Sequence, residues 1–159
     1  MADASFTPTD PLYQAASNPM LAQTGNAAWD KAFADYVCFD ALQDADHTFG
    51  GYAAALEDHT LTKVRLIERF GKAYSATPEA AAEAEAAFEK VSEAERTREA
   101  KYLRPYWKSA IALAMTPAPN LAAAIFKVQL VKREQLERDG DMPRDPMEIV
   151  NEDMARLAV

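Results

Sequence analysis

Asp40, Asp44 and His47 stand at i, i+4 and i+7, a spacing that puts all three on one face of a helix. Two carboxylates and an imidazole on one face can ligate a metal or pass a proton, and His59 is the nearest candidate for a fourth member. The face is unusual because it extends an apolar stripe, Trp29, Phe33 and Tyr36, into polar residues. A di-iron carboxylate bundle needs a Glu-x-x-His motif on each of two helices plus further carboxylates. This chain has one Asp-x-x-His, Asp44 to His47, and no second copy. With two histidines in all, a three-histidine metal site is excluded. The competing reading is a helix end that has left the core, its acids solvated.

Other chemistry-bearing patterns are few. The chain has no His-Glu-x-x-His, phosphate-binding loop, Gly-x-Ser-x-Gly, Cys-x-x-Cys or Gly-x-Gly-x-x-Gly. The single cysteine, Cys38, has Asp35 and Asp40 nearby, whereas a reactive thiolate needs an electropositive setting. It reads as a small buried hydrophobe. The aromatics of "YLRPYW", Tyr102, Tyr106 and Trp107, fall at a break between helical pieces. Core packing is the ordinary explanation, and an interface anchor is the functional one, since Tyr, Trp and Arg are enriched at binding hot spots. From Asp30 to Asp58 the chain is rich in acids with Lys31 as its one base, and Lys63, Arg65, Arg69 and Lys72 follow. This suits charge pairing between the first two helices, or an acidic face that captures a basic partner.

The elements that position these residues are helices. Residues 1–26 hold three prolines and little periodicity, and predict an irregular, extended N-terminal arm anchored by residues such as Leu12, Tyr13 and Leu21. Asn26 is the expected cap of a first helix running to Asp46 or His47, where "HTFGG" breaks it. A second helix, about Tyr52 to Tyr74, aligns Tyr52, Leu56, His59, Lys63, Leu66, Ile67 and Phe70. If the break reverses the chain, these two helices form an antiparallel hairpin, with Phe33 near Leu66 and Asp40 near His59. Thr77-Pro78-Glu79 starts a stretch too long for one ordinary helix, in which Ser92 and Glu95 can form a capping box that restarts it, and Pro105 either kinks the chain or begins the apolar piece "PYWKSAIALAM". Asn120 caps the next helix. Asp145-Pro146 opens the last, which places Met147, Val150, Met154 and Leu157 at helical spacing. No convincing strand or repeat is present. The expectation is an all-α fold, an irregular bundle of five or six helices, with residues 27–159 forming a single domain.

The 159-residue chain carries a net charge of −8. That field opposes the phosphate-neutralising term of nucleic-acid binding and opposes anionic membranes. The helix bearing Lys127, Lys132 and Arg133 is basic but has acids around it, so direct nucleic-acid contact is disfavoured. No secretory signal or apolar run long enough for a membrane span is visible, which makes the cytoplasm the default location.

"NAAWDKAF", followed by "TPAPNLAAAIFKVQLVKRE" and "NEDMARL", resembles small uncharacterised helical proteins of alphaproteobacteria, sphingomonads in particular. Some of these travel with prophages or other mobile elements. The resemblance implies a bacterial origin and a helical fold, and carries over no catalytic or binding residue.

The combined reading is a non-enzymatic acidic protein that binds another protein, the charge favouring a basic one, with no cofactor implied. The residues considered for binding are Asp40, Asp44, His47, His59, Tyr102, Tyr106 and Trp107. The alternative is a small helical enzyme or metal-binding protein using Asp40, Asp44, His47 and His59.

Overall fold

A computed structural model describes residues 16–158, which are all-α with no strand among them. After a short helical turn, Pro19–Ala22, the helices are α1 (Ala27–Phe49), α2 (Gly51–Phe70), α3 (Pro78–Arg98), α4 (Arg104–Met115), α5 (Leu121–Arg133) and α6 (Pro146–Leu157). A π-helical segment, Glu99–Leu103, joins α3 to α4, and 3₁₀ turns lie at Tyr74–Ala76 and Leu136–Arg138. No helix among the described residues is long and apolar enough to cross a membrane.

Several boundaries follow from local chemistry. Asn26 Oδ1 accepts from the backbone N–H groups of Ala28 and Trp29, both at 3.1 Å, and starts α1. Ahead of it, the Asp30 carboxylate accepts from Thr24 N, Thr24 Oγ1 and Gly25 N, and the Thr24 hydroxyl is the main reason its pKa is lowered. Asn120 Oδ1 accepts from Ala123 N at 2.9 Å, and Asp145 Oδ1 from Met147 N at 2.8 Å, which start α5 and α6. The long stretch from Thr77 runs through Ser92 without a restart. It changes winding instead at Glu99–Leu103, just ahead of Pro105. A proline in an α-helix lacks the N–H and crowds the carbonyl four residues back. Here the Arg104 N–H reaches Glu99 O, five residues back, and the wider turn relieves the crowding.

The chain divides into two compact units. One comprises Met1–Phe39 and Tyr106–Val159 and is termed the core unit; the other, Asp40–Pro105, is termed the hairpin unit. In the core unit Trp29, Phe33 and Tyr36 of α1 are buried with Tyr106, Leu113, Phe126, Leu130, Leu136 and Val150. Phe33 meets Phe126 edge-on at 5.3 Å, and Tyr36 stacks on Tyr106 at 5.7 Å. Leu21 is docked here, with Leu21 O accepting from Trp29 Nε1 at 2.8 Å. Leu12 and Tyr13 lie outside the described residues. On α6 the buried set is Pro146, Ile149, Val150 and Asp153, and the expected Met147, Met154 and Leu157 are half-buried.

In the hairpin unit α2 packs along α3, and the stripe of α1 expected to face α2 is buried in the core unit instead. A single residue, Gly50, separates α1 from α2. α2 buries Thr62 and Leu66 against an alanine-rich face of α3 that includes Ala80, Ala87 and Val91. Small residues let the two axes approach closely, so the seam is narrow. The bulky Leu56 and Ile67, expected on the buried side, are left exposed. The charge complementarity foreseen between the first two helices also goes to α3. Arg65 pairs with Glu83 at 2.7 Å, Arg69 with Glu79 at 3.5 Å, and Lys90 with Asp58 at 2.9 Å.

Candidate functional site

Asp44, His47 and His59 each have their own neighbours. Asp40 is half-buried, and Asp44 is exposed with its Oδ1 accepting from Gln43 Nε2 at 3.3 Å. The His47 ring stacks on Tyr52 at 6.3 Å, and the His59 ring meets Phe88 of α3 at 6.0 Å. No group of three or more His, Cys, Asp or Glu that could hold a metal ion occurs among the described residues. Cys38, expected to be buried, is exposed. Tyr106 is part of the core unit's interior, and Trp107 lies edge-on to it at 5.4 Å while keeping 39% of its surface exposed. Tyr102 is half-buried and lines a groove in the hairpin unit.

That groove has a volume of about 860 Å³ and lies against α2 and α3. Ala55, Ala86 and Ala94 contribute small apolar surface to it, and Tyr52 and Tyr102 supply aromatic walls. Arg98 and Asp46 are charged groups of its lining that are largely buried, with 17% and 12% of their side chains exposed. The guanidinium lies over the Tyr52 ring, 5.2 Å from the centroid. Its Nη2 donates to Gln43 Oε1 at a long 3.4 Å, and its Nε stands 3.6 Å from Asp46 Oδ2. Both Nε and Oδ2 are buried without a hydrogen bond. These two atoms face each other, so the Arg98–Asp46 pair is a loose one. The π-helical segment places Lys101 and Tyr102 on the same groove, and π turns recur where a helix serves a function.

A second charged cluster lies in the core unit and was not foreseen from the sequence. Lys127 is fully buried and donates from Nζ to Asp153 Oδ2 at 2.6 Å and to Thr116 O at 2.9 Å. Asp153 Oδ1 accepts from Ala118 N at 3.0 Å and from Arg156 Nη2 at 2.8 Å, and Arg156 also donates to Ala118 O. Burial pulls the Lys127 ammonium below its ordinary value, and the hydrogen bond and charge of Asp153 oppose that pull. For Asp153 burial pushes the carboxyl up, but the hydrogen bonds from Lys127, Arg156 and Ala118 outweigh it and hold the group below its ordinary value. This cluster clasps the loop between α4 and α5 to α6. Its partners are all intramolecular, so it is a structural fastening.

No protein-family model, curated protein or solved structure matches the chain.

Proposed function

We propose that the chain is a non-enzymatic helical protein that acts by binding another protein, with the outward face of α2 as its contact surface. The observation that carries this reading is the exposed apolar surface of α2. Leu56, Leu61, Val64 and Ile67 expose between 41% and 61% of their surface, on a helix whose packing within its unit is with α3. Leu56, Val64 and Ile67 lie on the side of α2 away from Thr62 and Leu66. Grouped exposed aliphatics on one helix face mark interaction surfaces more often than scattered ones do. Glu57 and Glu68 edge this face and have no ion pair among the described residues, which suits a partner helix with an apolar stripe and basic flanks. An adaptor, an inhibitor or an accessory protein of a mobile element would each work this way.

The test compares the wild-type chain with Val64→Glu/Ile67→Glu in pull-downs from a bacterial lysate. Both positions are exposed, so the variant should keep its helical circular dichroism. The expected result is a specific band held by the wild type, weakened as salt rises and lost in the variant. Equal capture by the two proteins would remove the support for this surface.

A further inference from the structure

We infer that the occupant of the α2 face is the outward face of α5 in a second copy of this chain, so that copies join head to tail. This rests on α2 being the contact surface, and it gives that surface a partner.

Glu57, Leu61, Val64 and Glu68 stand at i, i+4, i+7 and i+11, on the side of α2 away from Thr62 and Leu66. All four are exposed, and neither acid has an ion pair among the described residues. The ridge therefore reads acid, aliphatic, aliphatic, acid in either direction. At 1.5 Å per residue its two carboxylates are about 16.5 Å apart along the helix. Pairing of this ridge with the same ridge of another copy would set acid against acid in both directions, which disfavours α2 as its own partner.

Leu121, Ile125, Val128 and Lys132 of α5 repeat that spacing. Leu121 and Ile125 expose 57% and 46% of their surface, Lys132 is exposed, and Val128 is half-buried at the edge of the core. Lys132 has no ion pair among the described residues. Laid on the α2 ridge, this one sets aliphatic against aliphatic, and Lys132 meets one of the two acids whichever way it runs. The other acid then lies beside the start of α5, the positive end of that helix's dipole. Both carboxylates thus gain a favourable neighbour. A contact between two different faces is heterologous, and repeats of it make a ring or an open chain.

Sedimentation velocity on the full chain, at concentrations up to about 1 mM, tests this. The buffer holds about 0.15 M salt, which screens the chain's net charge of −8. The wild-type mass is expected to rise with concentration. Val64→Glu/Ile67→Glu removes one face and Leu121→Glu/Ile125→Glu the other, so each variant alone should stay monomeric. An equimolar mixture of the two should give a dimer and nothing larger, because each keeps the face the other has lost. Lys132→Glu should weaken wild-type association about fivefold, and this readout does not depend on the aliphatic variants folding. A wild-type chain that stays monomeric throughout overturns the inference. So does self-association of either double variant alone, or a mixture that gives no dimer. If lysate capture is still lost in Val64→Glu/Ile67→Glu while the wild type stays monomeric, α2 remains the contact surface and its occupation by α5 is what falls.

Discussion

Lys127 Nζ stands 2.6 Å from Asp153 Oδ2 with neither side chain appreciably open to water, so a cation and an anion separated by 26 residues share the interior of the core unit. Each is the other's main compensation for lost hydration. The pair also holds two backbone groups of the α4–α5 loop, Thr116 O and the buried Ala118 N.

Breaking this pair from one side should cost far more than removing both charges. Lys127→Met is expected to destabilise the chain by about 3–5 kcal/mol, because it leaves a buried carboxylate poorly compensated. Lys127→Met combined with Asp153→Leu should cost clearly less than the two single changes added together. Urea unfolding of the four proteins measures the coupling. Additive effects would show that the two charges do not depend on each other.

Acid should expose the same pair. The Asp153 carboxyl is held below its ordinary 3.8 in the folded chain. The unfolded chain therefore takes up the proton first as pH falls. The stability this group contributes is present above the ordinary value and is lost as pH falls through the folded one. Urea midpoints followed from neutral pH down to about pH 3 should drop less steeply in Asp153→Asn than in the wild type. Parallel curves would contradict the assignment.

Gly50 should tolerate no side chain. A Cβ there would come within 2.7 Å of the Asp46 Cα, which is backbone and cannot swing aside. Gly50→Ala is expected to lower stability by about 1–3 kcal/mol through forced displacement of the α1–α2 junction. Thermal melting checks this, with Gly51→Ala as control, since nothing lies within 4 Å of a Cβ at that position.

Gln135 should gain from losing its side chain. Its φ of 52° puts a residue with a Cβ in the left-handed region just after α5. Glycine takes that conformation without strain and ends helices for this reason. Gln135→Gly is expected to raise stability by about 0.5–1 kcal/mol by urea denaturation. A loss of similar size would show that side-chain contacts of Gln135 outweigh its backbone strain.

Trp29→Phe separates shape from hydrogen bonding. Phenylalanine keeps much of the ring but loses the indole N–H that Leu21 O accepts from. A cost of about 1–3 kcal/mol and faster proteolysis at the Pro19–Ala22 turn are expected. Unchanged proteolysis would mean that burial of Leu21 alone holds the turn.

The sequence made the helices and their starts legible, because Asn26, Asn120 and Asp145 act within a few residues of themselves. Which helix packs on which was not legible. The stripe Trp29, Phe33, Tyr36 is indeed buried, but its partners Phe126 and Tyr106 lie far along the chain, and no short-range rule selects them over α2. The α2 seam was misplaced because large aliphatics were assigned to the interior, whereas the alanine face of α3 admits only a narrow contact. The charged cluster could have been found. Lys127 falls among Ala123, Ala124, Leu130 and Val131 at helical spacing, and Asp153 likewise follows Ile149 and Val150. Both are charges at positions of an apolar stripe, as Asp40 and Asp44 are. The groove was beyond reach, because it depends on a change of winding at Glu99–Leu103 that moves Lys101 and Tyr102 around the helix.

The hairpin unit is one unbroken stretch, Asp40–Pro105, whereas the core unit is assembled from the chain on either side of it. During synthesis the two therefore mature on different schedules. Everything α2 and α3 need from each other has left the ribosome once α3 has emerged. The aromatic face of α1 must wait until Tyr106 and Phe126 have been made, and Tyr36 meets its acceptor Glu134 only after 98 further residues. Phe33 thus waits for Phe126 and Tyr36 for Tyr106 while the whole hairpin unit is being made, a window in which a chaperone has something to hold.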